Sequence, residues 1–179
     1  MARDVSVQLL LDLIDEAFDR KAWHGTTLFG SIRGMTADRA AWRPAPRRHN
    51  VWELVVHAAY WKYAVWRRLT GVARGSFPLT GSNWLVRPVD MTDRAWRADL
   101  ALLEDVHRTL RAALAACTSR DLKRRAPGSS VSNRALITGI AAHDLYHAGQ
   151  IQLLKRLSGV GARRRRPGHH GEKTRSSHR

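Results

Sequence analysis

Cysteine is nearly absent from this chain of 179 residues: Cys117 is the only one. A single thiol excludes an intrachain disulfide and a thiolate metal cluster, and it suits a reducing cytoplasm. Long apolar runs are missing too, since no stretch approaches the roughly 20 residues of a membrane span. The N-terminal MARDVSVQLLLDLIDEAF carries Asp4, Asp12, Asp15 and Glu16 among its apolar residues, the mark of an amphipathic helix and not of a signal peptide. The expectation is a cytoplasmic protein with no membrane partner.

Acidic residues are scarce: 15 Asp+Glu stand against 31 Lys+Arg, a formal net charge of +16. Residues 162–179, ARRRRPGHHGEKTRSSHR, hold seven Lys/Arg and one Glu, so +6 of that charge sits in the tail. The remaining basic residues are scattered, and helix-turn-helix, zinc-finger and RNP signatures are absent. Nonspecific contact with polyanions through the body and Arg163 to Arg166 stays open; sequence-specific nucleic-acid binding is not expected. The composition divides the chain into a helical domain over 1–161 and a disordered basic tail over 162–179.

Strand patterns are lacking, while helical spacing runs almost throughout. Leu10, Ile14, Ala17 and Phe18 recur at three and four residues. A short helix from Thr36 and a Pro-containing basic loop follow. Asn50 is a good N-cap with Glu53 placed as in a capping box, and Gly71 ends that helix. Residues 71–91 form a long connection that is expected to lie over a functional site. Thr92 opens a helix reaching Cys117, and Ser132 caps a last one that runs to about Leu157. Four substantial helices predict an all-α fold, a four-helix bundle with long crossover connections.

Seven tryptophans are many for this length. Trp23, Trp61 and Trp84 suit either core packing or the wall of an apolar pocket. The last helix carries HDLYH. Its stripe Leu136, Ile140, His143, His147, Ile151 and Leu154 places both histidines on the core-facing side, about 5–6 Å apart at Cβ. On the helix after Asn50, Leu54, His57, Ala58, Trp61 and Val65 do the same for His57. One ion would satisfy all three imidazoles, and three histidines with an open fourth position suit a catalytic centre. Hydrogen-bonded structural histidines are the other reading of the same spacing. Glu in the second position of HExxH is replaced by Asp144, which argues against a metalloprotease. Asp144 and Gln150 are candidates to support the ligands, Asp144 equally a structural carboxylate. His24 is a possible pocket base or simply a helix end, His107 a core or interhelical hydrogen-bonding group, and Tyr146 a packing residue with a proton donor as the alternative.

AWHGTTLFGSI, ADRAAWRP, NVWELVVHAAYWKYAVWRRLTG and HDLYHAGQIQLLKRL together resemble the DinB-like (DinB/YfiT) superfamily of metal-binding four-helix bundles, over roughly residues 5–158. The resemblance implies an up-up-down-down style bundle and a divalent metal on His57, His143 and His147. Zinc or nickel leads, with iron or manganese alternatives, because imidazole suits several metals. It also implies a thiol S-transferase using a low-molecular-weight thiol, or a hydrolase, acting on a small electrophile. A non-catalytic metal- or ligand-binding protein and a nucleic-acid-associated protein are the rivals. A homodimer is expected.

Overall fold

The computed structural model of the protein describes residues 4–85, 87, 91–127 and 129–159, and the expected basic tail lies outside them. Four long helices, α1 (Val5–Phe18), α4 (Val51–Thr70), α5 (Asp93–Ala115) and α7 (Asn133–Leu157), form the body. Three one-turn helices, α2 (Leu28–Ile32), α3 (Ala37–Ala41) and α6 (Ser119–Lys123), sit in the connections. No strand occurs among the described residues.

Local chemistry sets the helix ends. Asn50, Thr92 and Ser132 each accept a hydrogen bond from a backbone N–H three residues on, at 2.8, 3.2 and 3.3 Å. Gly71, at φ 78°, supplies the left-handed residue that stops α4. The capping box expected at Asn50 is only half formed. The Glu53 carboxylate turns away from the Asn50 N–H to bind Arg43 and His49, and the charged Arg43 is a stronger partner than one backbone amide.

Interhelical bonds give the direction of each helix. Trp52 donates to Asp99 and Lys62 approaches His107, so α4 and α5 run parallel. His57 meets His147 while Lys62 meets Asp144, so α7 runs antiparallel to α4. Asp4 takes hydrogen bonds from Ser119 while Asp15 takes them from Arg111, so α1 is antiparallel to α5. The order is therefore up-down-down-up, which corrects the up-up-down-down expectation. Because α4 and α5 are parallel neighbours, the chain after Thr70 must return along a helix of 20 residues, about 30 Å. The described part of that connection, residues 71–85, returns as a strap along α4, with Ser76 at the Tyr63 hydroxyl and the Asn83 carbonyl at His57.

Two apolar clusters fill the interior. One holds Trp52, Val55, Trp96, Leu103 and Ile151, near the start of α4; the other holds Leu11, Ile14, Val65, Leu110 and Ile137, near its end. Between them lies a polar layer where all four long helices meet. Lys62 is fully buried, ion-paired to the equally buried Asp144, 3.3 Å from His107 Nδ1 and over the Phe18 ring at 4.9 Å. His107 stacks on Phe18, and its Nε2 faces Asp15 at 3.7 Å. Burial, aided by the Lys62 and Arg111 charges, pushes the His107 imidazole down to about 2. Burial pushes the Asp144 carboxyl up to about 6, the Lys62 ammonium opposing it.

Candidate metal centre

His57 lies on the second turn of α4, and His143 and His147 stand four residues apart on the facing side of the antiparallel α7. His57 and His147 are buried and His143 is half-buried. His143 Nε2 is 3.2 Å from His57 Nε2 and 3.1 Å from His147 Nε2. One ligand nitrogen from each of the three lies within 4.8 Å of the others, the condition for holding one ion.

The hydrogen bonds on the far side of each ring decide what faces inward. The Asn83 backbone carbonyl lies 2.9 Å from His57 Nδ1 and can only accept, so Nδ1 carries the proton and Nε2 presents a lone pair. His147 Nδ1 donates to Gln150 Oε1 at 2.7 Å, and Gln150 Nε2 in turn donates to the Tyr146 hydroxyl at 3.0 Å. His143 Nε2 faces both inward lone pairs and carries at most one proton, so at most one of the two contacts is a hydrogen bond. His143 Nδ1 is buried with no hydrogen-bond partner among the described residues. A cation at that point could take a lone pair from each ring, with the His143 proton then on Nδ1. Two nitrogens each about 2.0–2.1 Å from one ion, at a right or tetrahedral angle, stand about 2.9–3.4 Å apart, and the observed contacts fall in that range.

Burial also keeps these imidazoles in the neutral form a metal needs. It pushes His143 down to about 3 and His147 to about 4, and it lowers His57; the triad members and nearby Lys62 or His49 add to the effect.

The three rings form the floor of a cavity of about 550 Å3 with walls from Pro44, Leu54, Trp84, Tyr146, Leu153 and Leu157. Trp84 stacks on both His57, at 3.9 Å and 11°, and His49, at 3.6 Å and 9°. His49 Nδ1 lies 2.9 Å from Glu53 Oε2. Burial alone would raise the Glu53 carboxyl, but hydrogen bonds from Arg43 and His49 outweigh it and leave it below the usual range. An imidazole oriented by a carboxylate thus stands at the rim of the cavity. No Asp or Glu lines the cavity among the described residues.

The structure redistributes several sequence-predicted roles. Gln150 stands behind His147 as a ligand support would. Asp144 does not stand behind a triad ring: about 100° further round α7, it points to the bundle centre and is taken by Lys62. His24 is exposed in the turn after α1 and lines none of this cavity, because the chain leaves the bundle once α1 ends at Phe18. Trp23, in the same turn, is 99% exposed and walls nothing. Trp61 stays close by, donating to the Asn83 side chain at 3.0 Å, and Trp84 reaches the cavity. His107 makes the interhelical contact expected of it.

Three participants escaped the sequence. Lys62 carried a signal, standing four residues after Ala58 and three before Val65 on the apolar stripe. His49, four residues before Glu53, carried a fainter one. Asn83 acts through its carbonyl and its φ of 59°, and neither leaves a mark in the sequence.

A bundle of this direction with three imidazoles converging from two antiparallel helices defines an all-α protein with a centre able to hold a metal ion. A family model of the DinB superfamily matches residues 4–151. The chain belongs to that superfamily. No curated protein and no solved structure matches it.

Proposed function

We propose that the protein binds one divalent metal ion through Nε2 of His57, His143 and His147 and uses it to activate a nucleophile against a small electrophile. The convergence of three Nε2 atoms on one point, two with lone pairs directed inward, carries this reading. A bound ion supplies Lewis acidity, lowering the pKa of a thiol or water in its open position. The chain does the rest. Asn83 and Gln150 hold the His57 and His147 rings in the ligating tautomer. The apolar walls hold the carbon body of the electrophile and exclude water. His49, oriented by Glu53, accepts or returns a proton at the rim.

Thiol transfer is favoured over hydrolysis. A thiol and a water both become acidic near neutral pH on a divalent ion, but zincin-type hydrolysis relies in addition on a carboxylate base. The cavity offers no such carboxylate among its described lining residues. Zinc or nickel is the proposed ion, and a low-molecular-weight thiol the co-substrate.

The test is metal per chain by inductively coupled plasma mass spectrometry on untagged full-length protein, beside His57→Ala and His143→Ala. Loss of about one equivalent in both variants is the expected result. Equal metal in all three proteins, or none after supplementation, refutes the centre. Metal binding with no thiol-dependent turnover across alkyl and epoxide electrophiles would leave a binding protein.

A further inference from the structure

Arg67 and Arg68 occupy the last turn of α4, ten residues beyond His57 and so about 15 Å along the helix axis from the triad. Arg74 joins them from the strap. The three arginines together line two adjoining cavities, of about 570 and 530 Å3. Ala126, Pro127, Ser129, Ser130 and Val131 complete the first; Phe77 and Pro78 of the strap help complete the second. A third cavity of about 460 Å3 shares Arg68 and adds Arg124 and Arg125.

The charge here is not balanced. Neither of the first two cavities has an acidic residue among its described lining, and Asp121 in the third is held by Arg124 and Thr118. Arg67, Arg68 and Arg74 make no ion pair and no side-chain hydrogen bond with any described residue. The C-terminal end of α4 contributes about half a negative charge, too little to offset three guanidiniums. Gly71 at φ 78° and Gly75 at φ 113° fold the strap back so that Arg74 returns to the two helix arginines.

We propose that Arg67, Arg68 and Arg74 form a binding site for the phosphate or diphosphate group of a small molecule, separate from the triad. Guanidinium forks match phosphate oxygens in pairs, and three unpaired forks around a concavity are what such a group requires. A cavity of about 570 Å3 has small-ligand dimensions. A flat basic surface would suit a nucleic-acid backbone instead.

The experiment is isothermal titration of pyrophosphate into full-length protein stripped of metal by chelation, at about 0.15 M salt so that long-range attraction is screened. Stripping prevents pyrophosphate from binding through an ion at the triad, and it makes the outcome independent of the metal proposal. Wild type is compared with Arg68→Gln, Arg74→Gln and Arg97→Gln, the last being an exposed arginine of α5 that lines none of these cavities. Circular dichroism checks that each variant is folded. The expected result is saturable one-to-one binding, weakened roughly tenfold or more by Arg68→Gln and Arg74→Gln and unchanged by Arg97→Gln. Absence of saturation, or equal loss in Arg97→Gln, overturns the site and leaves diffuse surface charge. A short DNA duplex titrated in parallel separates the sources of phosphate: duplex binding without pyrophosphate binding also overturns the small-ligand site.

Discussion

Replacing Lys62 by Met isolates the polar layer at the centre of the bundle. The side chains have similar length and apolar stems, so the substitution removes a charge and little volume. Asp144 would then remain with no solvent exposure and no cation, and its Oδ1 already lacks a hydrogen-bond partner among the described residues. His107 Nδ1 would lose the ammonium 3.3 Å away. Breaking a buried ion pair from one side costs about 3–5 kcal/mol, against a total stability of about 5–15 kcal/mol for a domain. At about 2–4 °C per kcal/mol for this size, the melting midpoint should fall by about 6–20 °C.

The control is the double variant Lys62→Met/Asp144→Leu, which removes both charges together. A buried pair replaced by apolar groups of similar volume is often neutral or stabilising. The abandoned His107 nitrogen opposes this by about 1–3 kcal/mol. The double variant should therefore recover at least half of what the single one loses. Urea unfolding of metal-free protein, with m values compared across the set, is the assay. A single variant that loses less than about 1 kcal/mol, or a double variant no better than the single, refutes the idea that one buried charge is held only by the other.

Three further outcomes follow from the same geometry. His107 stays neutral when folded down to about pH 2 but titrates near 6.5 when unfolded, so the unfolded chain binds the extra proton between those values. Stability conferred by neutral His107 is thus lost as pH falls below about 6.5, by up to ~1.4 kcal/mol per pH unit, and His107→Gln should flatten urea-derived stability against pH by that one proton. Gln150→Ala removes the acceptor behind His147 and should weaken metal affinity by about 10–100-fold with little change in melting temperature, measured by chelator competition. Asn83→Gly keeps the positive φ that aims its carbonyl at His57 and should retain metal, whereas Asn83→Val resists that conformation by about 1–2 kcal/mol and should release it.

How far the sequence disclosed this molecule follows from which forces act locally. Helix ends were legible because Asn50, Gly71, Thr92 and Ser132 act on their own neighbours, and the triad was legible because His57, His143 and His147 interrupt otherwise apolar stripes. Helix direction was not, since it depends on which helices become neighbours and not on any single helix. That one unknown decided much else. Parallel α4 and α5 force the chain after Thr70 to return along the bundle, and its described part, residues 71–85, brings the Asn83 carbonyl to His57, Trp84 onto both His49 and His57, and Arg74 beside Arg67 and Arg68. His49 stands in the loop just before the Asn50 cap, and its place at the cavity depends on a tryptophan 35 positions away in sequence. Of the two roles open to Asp144, ligand support and structural carboxylate, its pairing with Lys62 matches the second. The core-facing stripe through His143 and His147 is the edge of the buried face that meets His57, not its centre. The centre runs through Ile137, Ala141, Asp144, Ala148 and Ile151. A carboxylate in the middle of that line needs a buried cation, and Lys62 on the apolar stripe of α4 was the one residue placed to answer it.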